Sequence, residues 1–248
     1  MPDLHQWLYW ARTRAGFSQE GAARQAEISY SYLRRIERQQ LRPTRKVLDN
    51  LTAAYRLDQW QRRHTRELWE PSAELLPADE LRHHLANPRI QAHLHQLDLR
   101  SVPSAHLDPL ANVLHGNRSF HLAVPDLGEA EDNLALWLFS RTGRRVVAHW
   151  EYEARECVTA VRAALGRYRD TRQAQRLMTT LRTDDDFARL WASTRLQVSY
   201  NRHCTTTLRP LSLDCPQPLS ISFQLSEVAD RDDILVAVGI DNHAAAAG

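Results

Sequence analysis

Residues 18–37 constrain the fold more than any other part of this 248-residue chain. Their pattern predicts two short helices joined by a tight turn, and helices of that length do not fold alone. They must therefore cross closely inside a small helical bundle. Ala22 and Ala23 lack side-chain bulk and permit that approach. Three apolar side chains at helical spacing are expected to face inward: Ile28, Leu33 and Ile36.

The second of these helices is predicted to leave a polar surface exposed, with Tyr30, Ser31, Arg34 and Arg35 facing solvent. An exposed helix N-terminus with small polar and basic side chains fits the major groove of DNA. The charge distribution agrees with this interpretation. Residues 1–70 carry 13 Arg and Lys against 8 Asp and Glu, whereas the remaining residues carry 19 against 22. A basic excess around this segment indicates phosphate binding; a merely solvated helical surface is the alternative.

Helix signals around this segment predict a first domain of five helices. Ser18 and Ser29 are good N-cap residues. Further helices are predicted over residues 4–14, after Thr44, and from residue 58 to about 69. A proline-bearing junction follows. We therefore predict four segments: a helical domain over 1–70, a linker over 71–79, a second domain over 80–242 and a tail over 243–248.

The second half of the chain mixes helical and extended patterns. A helix over 80–98 is predicted to break at Asn87-Pro88, and an extended segment over 102–115 is predicted to turn at Asp108-Pro109. Further helices are predicted from 117, over 129–139, 149–166, 171–181 and 185–193. Strands are predicted over 207–213, 219–225 and 234–240. Short strands among several helices indicate an α+β domain with an antiparallel sheet.

Composition limits the classes of protein to which the chain can belong. With 43% hydrophobic and 25% charged residues, a folded globular protein is expected. No apolar run reaches the roughly 18 residues of a membrane span, and no secretory signal pattern is found. Three cysteines are an odd number, which favours a reducing cytoplasm over a disulfide framework. We therefore expect a cytoplasmic protein without membrane insertion.

Neither a metal site nor catalysis is expected. The densest histidines are His83 with His84 and His93 with His95, but adjacent and i, i+2 pairs on a helix point apart. No nucleophile, zinc or phosphate-loop motif is found among so few glycines. Residues 184–186 are all aspartate, and we interpret them as an N-cap and an acidic first helical turn. The prediction is a protein that is not an enzyme, with no catalytic residues and no metal.

The N-terminal unit resembles the Cro/phage-repressor-type helix-turn-helix, also called the xenobiotic-response-element family. The resemblance covers about residues 4–69 and rests on Phe17-Ser18-Gln19-Glu20, Ala23, Ile28-Ser29, Leu33, Arg35-Ile36-Glu37 and Arg42-Pro43-Thr44. It implies binding to double-stranded DNA. A homodimer is a geometric expectation, because two such helices about 34 Å apart would read half-sites one helical turn apart. The residues at the implied DNA-binding positions are Gln19, Ser29, Tyr30, Ser31, Arg34, Arg35, Arg38, Arg42, Thr44, Arg45 and Lys46.

Two further positions follow from this resemblance. Arg12 and Glu37 match a pair that usually forms a structural salt bridge, so Arg12 is assigned to the scaffold. Glu27 stands where the family usually has glycine, because a left-handed backbone conformation is favoured there. A residue with a side chain in that conformation costs on the order of 1 kcal/mol.

The second half is similar to the methylenomycin-regulator-like (MmyB-like) ligand-binding domain, a PAS-type fold. The similarity covers about residues 80–242 and rests on Val102-Pro103, Asn117, Asn133-Leu134, Trp137 to Phe139, Trp150 and residues 187–192. It implies binding of a small apolar molecule, with a fatty acid as the best single candidate. The predicted ligand-binding residues are Leu134, Trp137, Phe139, Trp150, Phe187 and Trp191, although core packing is the alternative for each of them.

The sequence is compatible with three hypotheses of function. The first is a homodimeric transcription regulator whose operator affinity responds to an apolar ligand; the sequence does not choose among Arg144, Arg145 and Arg195 as an anchor for a ligand carboxylate. The second is a constitutive DNA-binding protein whose C-terminal domain dimerises or binds another protein. The third, an enzyme fused to a DNA-binding domain, is disfavoured by the missing motifs.

Overall fold

The first domain is a helical bundle whose helices all begin at capped ends. The computed structural model of the protein describes residues 1–201, 203–209, 219–228 and 231–241. Asp3, Ser18, Ser29, Thr44 and Asp58 each accept a backbone N–H of the following first turn, which confirms the predicted caps at Ser18 and Ser29. The helices are α1 (Leu4–Arg14), α2 (Gln19–Gln25), α3 (Tyr30–Glu37), α4 (Arg45–Ala54) and α5 (Gln59–Trp69).

The predicted crossing of the two short helices is confirmed. Ala22, Ala23, Leu33 and Ile36 are buried between them and the rest of the bundle, whereas Ile28 is half-buried at the turn. The small side chains of α2 allow α3 to approach closely, and a buried apolar stripe then holds α3 from one side. The opposite side of α3 is left to solvent.

A salt bridge between the first and third helices fixes the orientation of α3. Arg12 Nε lies 2.5 Å from Glu37 Oε1, and both side chains are almost fully buried. A second guanidinium nitrogen donates to Glu37 Oε2, and Arg12 Nη1 donates to the Phe17 carbonyl. The structure thus confirms the assignment of Arg12 to the scaffold.

The turn between α2 and α3 contains the predicted left-handed residue. Glu27 has φ 57°, and its N–H donates to the Arg24 carbonyl at 3.2 Å. The following N–H, of Ile28, donates to the Ala23 carbonyl at 3.0 Å. The turn is formed without glycine, so its backbone geometry carries the conformational cost expected from the sequence.

Helices form most of the second domain, and their starts follow the predicted signals. Asn87 caps the helix that begins at Pro88, and Asp184 caps the helix whose first turn is acidic, as predicted. The helices are α6 (Ala78–Leu85), α7 (Pro88–Leu99), α8 (Arg118–Ala123), α9 (Leu134–Phe139), α10 (Arg141–Val146), α11 (Trp150–Tyr168), α12 (Arg172–Leu181) and α13 (Asp185–Ser193).

The predicted helix over 129–139 is wrong in its first part. A 3-10 helix occupies Leu127–Ala130, and Glu131 and Asp132 then adopt left-handed conformations that end it. Asn133 begins a separate helix, because its side-chain oxygen accepts the N–H groups of Ala135 and Leu136. The short helix α10 was not predicted from the sequence.

Within the described ranges, five strands form one antiparallel sheet in the order β2-β1-β5-β4-β3. The predicted turn at Asp108-Pro109 is confirmed, and the Asp108 carboxylate closes it by accepting the N–H groups of Leu110 and Asn112. The strands are β1 (Ser104–Leu107), β2 (Val113–Gly116), β3 (His203–Leu208), β4 (Leu219–Val228) and β5 (Arg231–Asp241). The second domain thus has the predicted α+β, PAS-like architecture.

One strand starts earlier than predicted. The strand expected over 207–213 is found at His203–Leu208, and residues 210–213 lie outside the described residues. The predicted tail over 243–248 also lies outside them. Every helix within the described ranges is too short or too polar to cross a membrane.

The helical bundle is completed by residues from far along the chain. Its apolar core contains Ala163 of α11 together with Leu196 and Val198, which follow α13. Gln61 of α5 is also buried, and its amide nitrogen donates to the Leu196 carbonyl at 2.9 Å. The two domains therefore share a continuous packed interface.

Glu27→Gly should raise the free energy of unfolding by about 1 kcal/mol, because glycine adopts positive φ without a Cβ clash. Glu27→Ala is the control: it removes the charge but keeps the Cβ, so it should leave the stability nearly unchanged. Urea unfolding of the three proteins measures both effects. Equal stabilisation by both substitutions would assign the effect to the charge and contradict this account of the turn.

Candidate DNA-reading surface and ligand cavity

One side of α3, together with its N-cap, presents an exposed polar surface. Ser29, Tyr30, Ser31, Arg34 and Arg35 are all solvent-exposed. The Ser29 hydroxyl accepts the N–H of Tyr32 at 3.2 Å and lies 3.1 Å from the Ser31 hydroxyl. The first turn of α3 is therefore held by its own hydrogen bonds in the absence of DNA. The surface combines a helix N-terminus, hydroxyl groups and two guanidinium groups, which together can contact base edges and phosphates.

The other candidate residues add positive charge at the end of α3 and at the start of α4. Arg38, Arg42, Arg45 and Lys46 are exposed. Thr44 is also exposed and caps α4 by accepting the N–H of Val47. The Arg42 guanidinium stacks 5.3 Å from the Trp69 ring centroid, which holds it against α5. This arrangement is suited to a DNA backbone running on either side of α3.

Gln19 differs from the other candidates because its amide is already engaged. It is half-buried, and its Nε2 donates to Glu37 Oε2 at 2.7 Å. Glu37 thereby joins Arg12, Gln19 and the end of α3 in one network. The second N–H of this amide remains a donor, so Gln19 can still bind a phosphate oxygen.

A cavity of about 680 Å³ lies between the sheet and α11. This volume is within the roughly 300–1,000 Å³ typical of small-molecule sites. Its lining is mainly apolar and includes Leu107, Phe120, Val124, Leu134, Trp137, Leu138, Val147, Ala160, Leu208, Phe223, Leu235 and Ala237. Such a wall favours an apolar occupant.

The cavity is long in one direction. Its lining residues on α11 run from Tyr152 to Tyr168, a span of about 24 Å along a helix. Ala160 and Ala164 keep the helix surface flat between these ends. The shape therefore suits an extended chain better than a compact ring system.

The structure separates the predicted ligand-binding residues into two groups. Leu134 and Trp137 lie on the cavity wall. The other four lie outside it and pack on one another: ring centroids are 5.7 Å apart for Phe139 and Trp150, 5.4 Å for Phe139 and Phe187, and 5.6 Å for Phe187 and Trp191. These four form a core cluster between α9, α11 and α13, which is the alternative that the sequence left open for them.

None of the three arginines considered as ligand anchors is among the described lining residues. Arg144 is paired with Asp184 at 2.7 Å and Asp186 at 2.5 Å, and it stacks on Trp150. Arg195 donates to the Ala192 carbonyl and stacks on Trp10 of the first domain. Arg145 is exposed on α10.

Sequence reasoning missed the polar residues at one end of the cavity. They are Arg63 and Glu67 of α5, Arg167 of α11, Tyr200, and Asp232 of β5, and we call them the polar mouth. Arg63 Nε lies 3.0 Å from Glu67 Oε1, and Arg167 Nη2 lies 2.5 Å from Asp232 Oδ2. Because these residues come from four separate parts of the chain, no local sequence signal connects them.

Tyr200 lies at the centre of the polar mouth. Its hydroxyl donates to Glu67, and its ring lies 4.0 Å from the Arg63 guanidinium carbon. Burial and the Glu67 carboxylate raise the pKa of Tyr200 above its usual value, whereas the charges of Arg63 and Arg167 act in the opposite direction. The hydroxyl therefore stays protonated and acts as a donor between the two domains.

Beside the polar mouth, the His64 side chain of α5 lies directly against the backbone of α11 at Gly166. His64 is fully buried, and a Cβ at Gly166 would lie 2.4 Å from His64 Cε1. Burial first, and then the charges of Arg162 and Arg169, lower the pKa of His64 to about 3. The imidazole is therefore neutral near pH 7 and can pack as an apolar ring.

Two arginines close the interface around this histidine. Arg169 Nη1 donates to the carbonyls of Glu67 and Gly166 at 3.0 and 2.7 Å, so it caps the ends of both helices. Arg162 is buried and donates to the carbonyls of Trp191, Thr194 and Gln197 at 2.6–2.8 Å. It anchors the segment that carries Leu196 into the first domain.

No His, Cys, Asp or Glu side chains in the described part of the chain form a group of three that could hold a metal ion. This applies to the histidine-rich stretch between residues 83 and 95 as well.

Comparison with known families matches both halves of the chain. Residues 8–65 match a helix-turn-helix domain, and residues 86–246 match the MmyB-like transcription regulator ligand binding domain. No curated protein matches the chain. The second match alone covers more than half of the sequence.

Gly166→Ala should lower the free energy of unfolding by about 1–3 kcal/mol, because the new methyl group collides with the His64 ring. Gly128→Ala is the matched control, since a Cβ there meets no atom within 4 Å. Urea unfolding in the wild-type and His64→Ala backgrounds measures the coupling. Removal of the ring should reduce the cost of Gly166→Ala, and an equal cost in both backgrounds would contradict this contact.

Proposed function

Because this chain belongs to the family of MmyB-like transcription regulators, we propose that it reads a specific operator sequence and that a small apolar ligand controls this reading. The observation that carries the proposal is the pairing of an exposed, basic α3 surface with a long apolar cavity in the same molecule. The proposed activity is binding, and it includes no catalytic step.

The DNA-reading part of the proposal rests on the exposed face of α3. Tyr30, Ser31 and Arg35 contact base edges, with Arg34 beside them, while the cations around α4 contact phosphates. A homodimer is the assembly that fits such a helix. Two copies of α3 about 34 Å apart would read half-sites one helical turn apart. We place this activity in the cytoplasm.

The ligand-sensing part rests on the shape and lining of the cavity. A fatty acid or a similar aliphatic molecule is the ligand class we propose, because most of the lining is apolar and the arginines among the described lining residues lie at one end. The ligand would act through a difference in affinity for two arrangements of the domains. Coupling energies of this kind are typically about 1–3 kcal/mol.

A constitutive DNA-binding protein whose second domain serves only dimerisation or protein binding is the competing function. It requires no occupant in the cavity. The two functions therefore differ in what the purified protein retains and in whether its operator affinity responds to a ligand.

Arg35→Ala should relax the base preference at one position of the operator, at a cost of about 1–3 kcal/mol for the preferred base. Arg45→Ala should weaken all sequences alike and reduce the salt dependence by about one phosphate contact. Selection of bound DNA from a random pool, followed by titration at two salt concentrations, separates these effects. Unchanged binding by both variants would show that α3 does not read the groove.

Ala160→Trp should empty the cavity, because the indole fills the space beside α11. Arg155→Trp, on the same helix but away from the lining, is the control. Native mass spectrometry should show a retained lipid-sized mass in the wild type and the control but not in Ala160→Trp. An empty wild-type protein whose operator affinity is unchanged by added fatty acid would favour the constitutive function.

A further inference from the structure

We infer that α5 of the DNA-binding domain is itself part of the ligand site, and that Arg63 binds an anionic head group of the ligand. This rests on the proposed function, in which the cavity holds an aliphatic molecule. The inference adds the orientation of that molecule and the residue through which the first domain detects it.

The charges along the cavity determine which end an anionic group would occupy. Among the described lining residues the only cations are Arg63 and Arg167, and both belong to the polar mouth. Six carboxylates also line the cavity: Glu67, Asp108, Glu153, Glu156, Glu227 and Asp232. Glu67 and Asp232 are paired with the two arginines, so the polar mouth carries charges of both signs. Among the described lining residues, an anionic head group therefore finds a cation only at the polar mouth.

The position of Glu153 and Glu156 makes the reversed orientation unfavourable. Both residues lie on the N-terminal half of α11, and Arg167 is about 16 Å or more farther along the helix. Glu153 is buried, so a second negative charge beside it would be desolvated as well as repelled. The aliphatic chain, in contrast, can lie along the apolar walls.

Arg63 is better prepared than Arg167 to receive the head group. Arg167 is held through Nη2 by Asp232. Arg63 is held through Nε by Glu67, and its plane is fixed by stacking on the Tyr200 ring. Among the described residues neither Nη of Arg63 donates a hydrogen bond, and its side chain is 47% exposed. This edge of the guanidinium can form paired hydrogen bonds with a carboxylate.

A head group on Arg63 would act directly on the DNA-binding domain. Arg63 shares Glu67 with the Tyr200 hydroxyl, so a new anion changes the balance of a network that joins α5 to the second domain. In the bundle, Trp7 of α1 donates to Thr65 of α5 at 2.8 Å, and His5 of the same helix lies 2.7 Å from the Ile36 carbonyl of α3. The helix proposed to contact the ligand, α5, is thus connected to α3 through α1.

Hexadecanoic acid and 1-hexadecanol are suitable probes, because they share a chain and differ in charge. Arg63→Gln should weaken binding of the acid about tenfold and leave binding of the alcohol unchanged, and Arg63→Lys should restore part of the loss. Arg66→Gln is the control, since Arg66 is exposed on the same helix but does not line the cavity. It should leave both affinities unchanged, as measured by titration of the full-length protein.

A second readout tests the connection to DNA. The acid should shift operator affinity in the wild type and in Arg66→Gln, and this shift should be lost in Arg63→Gln at saturating acid. Equal loss of acid and alcohol binding in Arg63→Gln, or no loss of either, would overturn the inference while leaving the proposed ligand class intact. Failure of both probes to bind the wild type would overturn the ligand class and this inference together.

Discussion

The contact between His64 and Gly166 is the constraint on which the rest of the structure depends. It brings α5 and α11 so close that a methyl group at position 166 would overlap the imidazole. Because α5 belongs to the helical bundle and α11 forms a wall of the cavity, this crossing fixes the position of the DNA-reading surface relative to the ligand site. It also places Arg63 and Glu67 at the end of the cavity.

The electrostatics of the interface follow from this close approach. An imidazole can be packed dry only if it stays neutral, and its low pKa near 3 satisfies that condition. Burial also lowers the pKa of Arg162 to about 9, and its guanidinium donates to the carbonyls of Trp191 in α13 and of Thr194 and Gln197 just after it. The two interface arginines, Arg162 and Arg169, thus donate to backbone carbonyls, whereas the arginines of the polar mouth pair with carboxylates.

Local signals were sufficient to predict most of the helices and the exposed side of α3, because caps and apolar spacing are encoded by neighbouring residues. The left-handed position at Glu27 was expected from the family resemblance instead. The cavity was not predictable in this way. Aromatic residues serve cores and pockets equally well, so Phe187 and Trp137 could not be told apart without their neighbours in space. The polar mouth joins residues 63, 167 and 200, which only the docking of α5 on α11 brings together. The break before α9 was missed because Glu131 and Asp132 carry no glycine signal for their left-handed backbone.

The sharing of Leu196 and Val198 with the bundle core has a consequence for the order of events during synthesis. A ribosome adds roughly 5–20 residues per second, so some 6–26 s separate the end of α5 from the arrival of Val198. During that interval the nascent bundle has helices but lacks part of its apolar covering. Its final packing is therefore a late step of translation, and a nascent chain released before residue 198 would expose the surface that its own later sequence is made to cover.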